Sequence, residues 1–178
     1  MKALNLIASK DSLRPQLNYI QLQDGFFNVT DCNVLLKIPQ LEIMNSEILD
    51  ELPKEAYFLA NDWKNSKIDK ALYFKLNGNL IECKDKKFNT IGFLPFLDGN
   101  EFYTKVGKFP DFNNVIPKDE YKEELGTLSI NPELLYNLYC ANGKDVLQFS
   151  FFGKNKAIKI KFKESEGIGL IMPVMFEK

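Results

Sequence analysis

Side chains suited to acid-base, nucleophilic or metal chemistry are thinly spread in this 178-residue chain. It holds no histidine, which excludes imidazole general bases, Ser-His-Asp triads and H-E-x-x-H metal sites. The carboxylate pairs Asp50-Glu51 and Glu123-Glu124 are adjacent in sequence, so neither pair shares a helix face, and both read as solvated. Cys32, Cys83 and Cys140 are odd in number, far apart and form no C-x-x-C pair. That usage fits a reducing compartment and supplies no thiol with an activating neighbour. Neither G-x-x-x-x-G-K-[ST] nor G-x-G-x-x-G occurs, so no phosphate-cradling loop is signalled. No catalytic residue, cofactor or metal is expected, and the chain reads as a binding protein, not an enzyme.

The residues that could bind are of two kinds. Met172 and Met175 are adaptable apolar side chains, while Pro110 and Pro173 present apolar rings that cannot join a strand ladder; together they suit a surface that accepts peptides. The competing reading places Leu170, Met172 and Val174 on one face of a core strand, with Phe109, Phe112 and Ile116 plugging the same core. Lys154, Lys156, Lys159, Lys161 and Lys163 have no acid between them. From Ile158 they alternate with apolar residues, which puts three lysines on one strand face. That face is a candidate contact for double-stranded DNA without sequence specificity, or a solvated edge guarded by lysine. Lys84, Lys86 and Lys87 flank Asp85 in a turn and read as solubilising. Trp63 reads as a buried anchor. The whole chain carries 23 basic and 24 acidic residues, net −1, and Arg14 is the one arginine. Guanine-edge reading is mainly arginine chemistry, so sequence-specific DNA recognition is disfavoured.

These residues must be positioned by a packed core, and the composition supplies one: 45% hydrophobic and 13% aromatic, including fifteen Phe and seven Tyr. A chain of this length buries roughly 70% of its unfolded surface and needs no disulfide or structural metal. The start resembles no signal peptide, and no apolar run approaches the roughly 20 residues of a membrane helix, so a cytoplasmic location with no membrane partner is expected. Strand signals dominate. Leu17 to Leu22 and Phe26 to Ile38 form a hairpin about Gln23-Asp24-Gly25, the second strand being interrupted near Asp31-Cys32-Asn33. Ser46 caps a helix over Glu47 to about Leu52, and a further helical stretch runs through Ala60. Ala71 to Leu76 and Leu80 to Cys83 form a second hairpin about Asn77-Gly78-Asn79, with a third strand over Asn89 to Phe96. Phe102 to Val106 reads as a strand, followed by an irregular segment from Gly107 to Pro117. A strand over Thr127 to Ile130 leads to Asn131 as cap, Pro132 at the first helical position and a helix to about Ala141, closed by Asn142-Gly143. Strands over Val146 to Phe152, Ala157 to Phe162 and Ile168 to Phe176 complete the chain.

Three separated pieces resemble the bacterial DNA polymerase III β subunit, the sliding clamp family. Arg14-Pro15 through the hairpin to Val29-Thr30-Asp31-Cys32-Asn33-Val34-Leu35 is similar to that family's segment ending in Ala-Thr-Asp-Gly-His-Arg-Leu. Gly107-Lys108-Phe109-Pro110-Asp111-Phe112-Asn113-Asn114-Val115-Ile116-Pro117 is similar to its connector, with a Phe-Pro-Asp-Tyr core and a Val-Leu/Ile-Pro ending. The terminal unit, in which Leu128-Ser129-Ile130-Asn131 precedes Leu134-Leu135 and the chain closes with Leu170-Ile171-Met172-Pro173-Val174-Met175, is similar to its C-terminal part with a Met-Pro ending. The resemblance implies an α+β, DNA-clamp-like fold: antiparallel sheet with a few helices packed on one side. It implies a single clamp-like domain over 1–178, with half-motifs at about 1–38 and 126–178 and a middle region, 39–125, that the patterns define least.

In clamps the three pieces converge on a groove for short linear peptides. Carried onto this chain, the groove comprises Thr30, Asn33 and Leu35, then Pro110, Asn114 and Val115, then Leu170, Ile171, Met172, Pro173 and Val174. Cys32, Asn33, Val34 and Asn114 depart from the family's Gly, His, Arg and basic residue, so the rim differs in charge. The implied function is a non-enzymatic, sliding-clamp-like module of DNA replication or repair, in the setting of a phage or mobile element. Its partner would be a short peptide of a polymerase or other DNA-processing protein, with lysine contact to DNA and assembly of several copies as further expectations. A protein-protein adaptor or decoy with the same fold and no DNA contact is the alternative. At about half the family's length, the chain is not expected to supply the usual half-ring.

Overall fold

Alternation of apolar and polar residues builds one large sheet with two unlike faces. The structure, a computed structural model, describes residues 2–112, 114–117, 128–153 and 155–174. Glu123-Glu124, Thr127, Lys154 and Met175, singled out above, lie outside the described residues. Strands β1 (Tyr19–Gln23) and β2 (Phe26–Thr30) form the first hairpin. Its turn residues Asp24 and Gly25 both have left-handed φ, 50° and 83°, the geometry that matches the twist of flanking strands. What reads in sequence as one interrupted strand is two: β2 reverses at Asp31–Asn33 and returns as β3 (Val34–Pro39), antiparallel to it.

Helix α1 (Ser46–Glu51) begins one residue earlier than expected, with Asn45 at its cap. The helical stretch expected through Ala60 is instead β4 (Glu55–Leu59), followed by the short helix α2 (Ala60–Asn65). Ala56, Tyr57 and Phe58 are all buried, so β4 is covered on both faces and its sequence lacks the alternation that marks a half-exposed strand. The smaller sheet follows as expected: β5 (Tyr73–Asn77), β6 (Leu80–Lys84) and β7 (Thr90–Pro95), in that order. After the two-residue β8 (Leu97–Asp98) comes α3 (Gly99–Lys105), where a strand is expected from its aromatic residues. The Asp98 carboxylate accepts from the Glu101 backbone N–H at 2.9 Å. That N-terminal cap, with the Lys105–Glu101 pair at 3.0 Å one turn apart, outweighs the strand preference of Phe102 and Tyr103. Helix α4 (Pro132–Ala141) has its expected Asn131 cap, which accepts from the Glu133 N–H at 2.9 Å. The strand expected before it appears in the described residues as one bridge, Ser129 to Val174. Strands β9 (Leu147–Ser150), β10 (Ile158–Phe162) and β11 (Ile168–Ile171) end the fold.

The large sheet runs β8-β4-β1-β2-β3-β11-β10-β9, antiparallel throughout. Its seam is β3 against β11, where Leu35 faces Leu170 and Leu36 faces Gly169; residues 135 positions apart in sequence thus become neighbours. One face carries Ile20, Leu22, Phe27, Val29, Leu36, Ile38, Phe58, Ile158 and Ile160 into the main core, with Trp63 and Leu138 of the helices and Ile81 and Leu94 of the small sheet. The class is therefore α+β, with antiparallel sheets and a few helices on one side. On the opposite face, Phe102 of α3 stacks on Tyr57, ring centroids 3.6 Å apart.

Two glycines permit close approach. A Cβ on Gly169 would lie 2.6 Å from the Leu138 side chain of α4, and one on Gly92 would lie 2.0 Å from the Ser66 carbonyl oxygen. Backbone cannot swing aside as a side-chain tip can, so Gly92→Ala should destabilise the fold by about 1–3 kcal/mol, the usual cost of overpacking. A urea denaturation midpoint unchanged from the parent chain would contradict this close approach.

Candidate functional site

The groove begins with a turn tied by its own side chains. Thr30 Oγ1 donates to the Val34 carbonyl at 2.7 Å and accepts from the Cys32 N–H at 3.0 Å. Asp31 accepts from the N–H groups of Asn33 and Val34 at 2.8 and 2.9 Å, as short polar side chains do in tight turns. The Met172 N–H donates to the Asn33 carbonyl at 2.9 Å, which fastens the exit of β11 to this turn. Strand register then lays Thr30, Leu35 and Leu170 side by side in one row across three strands.

The second side is the segment after α3. With prolines at both ends it offers no ladder, and aromatic packing holds it instead. Phe109 and Phe112 meet edge to face at 5.4 Å, and Phe109 also packs on Tyr57 and Phe102. These rings, with Leu35, Ala157 and Leu170, form a second buried cluster on the face away from the main core. Because Phe112 is anchored, Pro110 and Val115 stand across from Met172 and leave an apolar hollow of about 200 Å³ between them. Leu35 and Leu170 are its buried floor, while Val115 at 54% and Met172 at 43% exposure flank its mouth.

Of the residues named from sequence, Thr30, Asn33, Leu35, Pro110, Val115, Leu170 and Met172 line this hollow. Asn114 does not line it and donates through its side-chain amide to Asp111 at 2.9 Å. Ile171 requires correction: it is fully buried in the main core, because successive strand residues point to opposite faces. Pro173 and Val174 continue past the hollow towards Ser129, to which Val174 donates at 2.8 Å. Cys32, Val34, Asp111, Phe112 and Ala157 also line it. Ala157 had no signal in the sequence, since only the seam between β3 and β11 brings the start of β10 near the turn at Asp31.

Across the Pro110–Phe112 ridge lies a second hollow of about 290 Å³, lined by Gln21, Asn28, Lys37, Tyr103 and Lys108 among others. Its floor is a buried network: the Asn28 amide donates to Gln21 Oε1 at 3.3 Å, and the Gln21 amide donates to the Tyr57 hydroxyl at 3.1 Å. Tyr57 in turn donates to Glu55. Burial foremost, then the hydrogen bond to Glu55, pushes the Tyr57 hydroxyl far above its ordinary range, against the opposing effect of the Gln21 amide, so it stays protonated. The Cys83 thiol, buried in the main core, is pushed up to about 11 by desolvation, which leaves it a poor nucleophile.

The lysine stripe is not the solvated patch its alternation implies. Lys159 is only 6% exposed, in the row of Leu170 and Ser150 beside the second buried cluster. Lys156, Lys161 and Lys163 are exposed, and Lys163 lies 3.7 Å from Glu164.

No family profile matches the sequence, and no curated protein matches it. Solved structures do. A DNA polymerase sliding clamp from Bacillus subtilis superposes with TM-score 0.59 at 16% identity, covering 98% of this chain and 62% of the clamp. The DNA polymerase III β subunit from Pseudomonas aeruginosa gives 0.61 at 13% identity, over 97% of this chain and 62% of that one. The β subunit from Thermotoga maritima gives 0.56 at 13%, over 98% and 63%. This chain has the fold of the DNA clamps. It spans less than two thirds of the length of those it matches. Among the described residues no helix is long and apolar enough to cross a membrane.

Cys32 holds a left-handed backbone, φ 81°, at the position where the similar clamp segment has glycine. A side chain there costs roughly 1–2 kcal/mol, partly offset by the entropy a glycine loses on folding. Cys32→Gly should therefore stabilise the chain by about 0.5–1 kcal/mol, read as a higher urea midpoint. A lower midpoint would mean that the turn depends on the Cys32 side chain.

Proposed function

We propose that this chain is a non-enzymatic, sliding-clamp-like module of DNA replication or repair. It works in the cytoplasm as one unit and presents its groove to a short linear peptide of a polymerase or other DNA-processing protein. The observation that carries this reading is the convergence of the Thr30, Pro110 and Met172 neighbourhoods on one apolar hollow open to solvent. At about 200 Å³ the hollow is smaller than the roughly 300–1,000 Å³ of small-molecule sites. It suits one or two apolar side chains of an extended segment, and Met172 at its mouth can reshape to fit them.

A second reading, an adaptor with no duplex contact, is favoured by the burial of Lys159. Among the described residues that burial leaves Lys156, Lys161 and Lys163 as the β10-side lysines open to a phosphate backbone, in a chain of net charge −1 with one arginine. Duplex retention on a DNA column that falls steeply with salt, and disappears in Lys161→Glu/Lys163→Glu, would support the DNA-contacting form. Absent or salt-independent retention would support the adaptor. A ring of several copies would appear as a discrete oligomer in light scattering.

For the groove, Met172→Glu and Val115→Glu should each weaken capture of a clamp-binding polymerase peptide about tenfold or more, since each puts a charge at an apolar mouth. Both side chains are exposed, so thermal unfolding should stay within about 3 °C of the parent. If the parent chain fails to capture such a peptide, or if both variants capture it normally, the groove reading is wrong.

A further inference from the structure

The outward face of the small sheet combines features that the groove does not use. Phe88, in the loop between β6 and β7, is 62% exposed and stacks on Tyr73, centroids 4.3 Å apart and planes 21° from parallel. Tyr73 is itself 40% exposed, and Phe93 on β7 is 54% exposed. A soluble domain rarely spends three large rings on one small face without a partner.

Phe88 is also held in an unfavourable backbone state. Its φ is 62°, a left-handed value that is rare for a bulky residue. The loop enforces it through Asp85: its carboxylate accepts from the N–H groups of Lys87 and Asn89 at 2.8 and 3.0 Å, and its carbonyl accepts from the Phe88 N–H at 3.0 Å. The result is a ring carried out of the loop, one side on Tyr73 and the other open. Strain maintained by so many bonds around an exposed aromatic points to a binding role.

The charge around the rings selects the partner. Lys75, Lys84, Lys86 and Lys87 stand on or beside this face against Glu82 and Asp85, an excess of two positive charges in a chain whose total is −1. Lys86 and Lys87 precede Phe88 and are exposed. By register, Lys75 lies on the row of Glu82 and Phe93, and Lys84 lies opposite Tyr73. Glu82 is offset by Lys84 at 3.5 Å, and Asp85 is occupied by its own loop. Rings that present flat faces beside lysines match bases beside phosphates, the combination that binds single strands without sequence preference. Tyr73 and Phe93 are about 12 Å apart by strand spacing, room for a short stretch of an unpaired strand.

We propose that this face is a binding platform for single-stranded nucleic acid, with a base stacked on the open side of Phe88 and the backbone running past Lys75, Lys86 and Lys87. It is separate from the peptide groove and does not depend on it. The test is fluorescence anisotropy of the full chain with a labelled oligo-dT of about 20 nucleotides, at 25 to 200 mM salt. Binding is expected with a log-log salt slope of about −2 to −3, as three or four neutralised phosphates give. Phe88→Gly, which relieves the left-handed strain and so preserves folding, should weaken binding at least fivefold. Lys86→Glu/Lys87→Glu should flatten the salt slope, whereas Lys161→Glu/Lys163→Glu should leave single-strand binding unchanged. Quenching of a 2-aminopurine base, lost in Phe88→Gly, would report the stack directly. The proposal is overturned if the parent chain does not bind at 25 mM salt, or if Phe88→Gly binds as the parent does. It is equally overturned if the face proves to join two copies of the chain, seen as a dimer that Phe88→Gly dissolves without any single-strand binding.

Discussion

The packing of Phe109 and Phe112 into the second aromatic cluster is the contact on which the site depends. The segment that carries them has prolines where a ladder would need N–H donors, so hydrogen bonding alone cannot fix its path. Tyr57 and Phe102, stacked with ring planes 4° from parallel, make a flat wall against which Phe109 stands edge-on. Rings in such arrangements gain attraction beyond the area they bury. With that anchor in place, Pro110 and Val115 have a fixed position relative to Leu35 and Leu170, and the hollow has a shape. Without it the same residues would be a loop near a sheet.

The large sheet explains why an apolar groove and a polar hollow lie so close together. One face is given wholly to the main core. On the other, successive rows differ in character: Thr30, Leu35 and Leu170 in one, and Tyr57, Gln21, Asn28 and Lys37 in the next. The aromatic ridge from Pro110 to Phe112 runs between them and borders both cavities. Apolar groups on one side and polar groups on the other are thus separated by a single wall, and strand register decides which side each sheet residue serves.

The likeness to DNA clamps is a statement about layers and strand order, and at such low identity it carries no residue roles with it. What gives the site its content is local: an apolar floor, a methionine and a valine at the mouth, and a rim without the basic residues of the similar clamp segments. The small sheet adds a second surface of different chemistry, aromatic and basic, on the side away from its packed face.

Short-range signals in the sequence were enough for the elements whose determinants are local. The hairpins at Asp24-Gly25 and within Asn77-Gly78-Asn79, where Gly78 and Asn79 form the loop, and α4 between Asn131 and Asn142-Gly143, follow from turn and cap chemistry that neighbours a few residues apart enforce. The quoted motifs also marked the three stretches around the groove, though nothing local in them fixes how they meet. Where the reading failed, the deciding forces came from further away. β4 is buried on both faces, so its pattern imitates a helix; β2 and β3 separate because the sheet pairs them with each other. Lys159 lies beside Leu170 in the row that carries the second cluster, whereas Lys161 further along the same strand face is exposed, and Ile171 turns inward because a strand cannot point consecutive residues the same way. In α3 a local signal was present, Asp98 capping Glu101, and was outweighed in the reading by the aromatic residues that follow. Sequence therefore determined which residues are apolar, which turns are tight and which segments resemble one another. Only the tertiary structure decided which face each residue serves, because the seam between β3 and β11 joins parts of the chain that share no local contact.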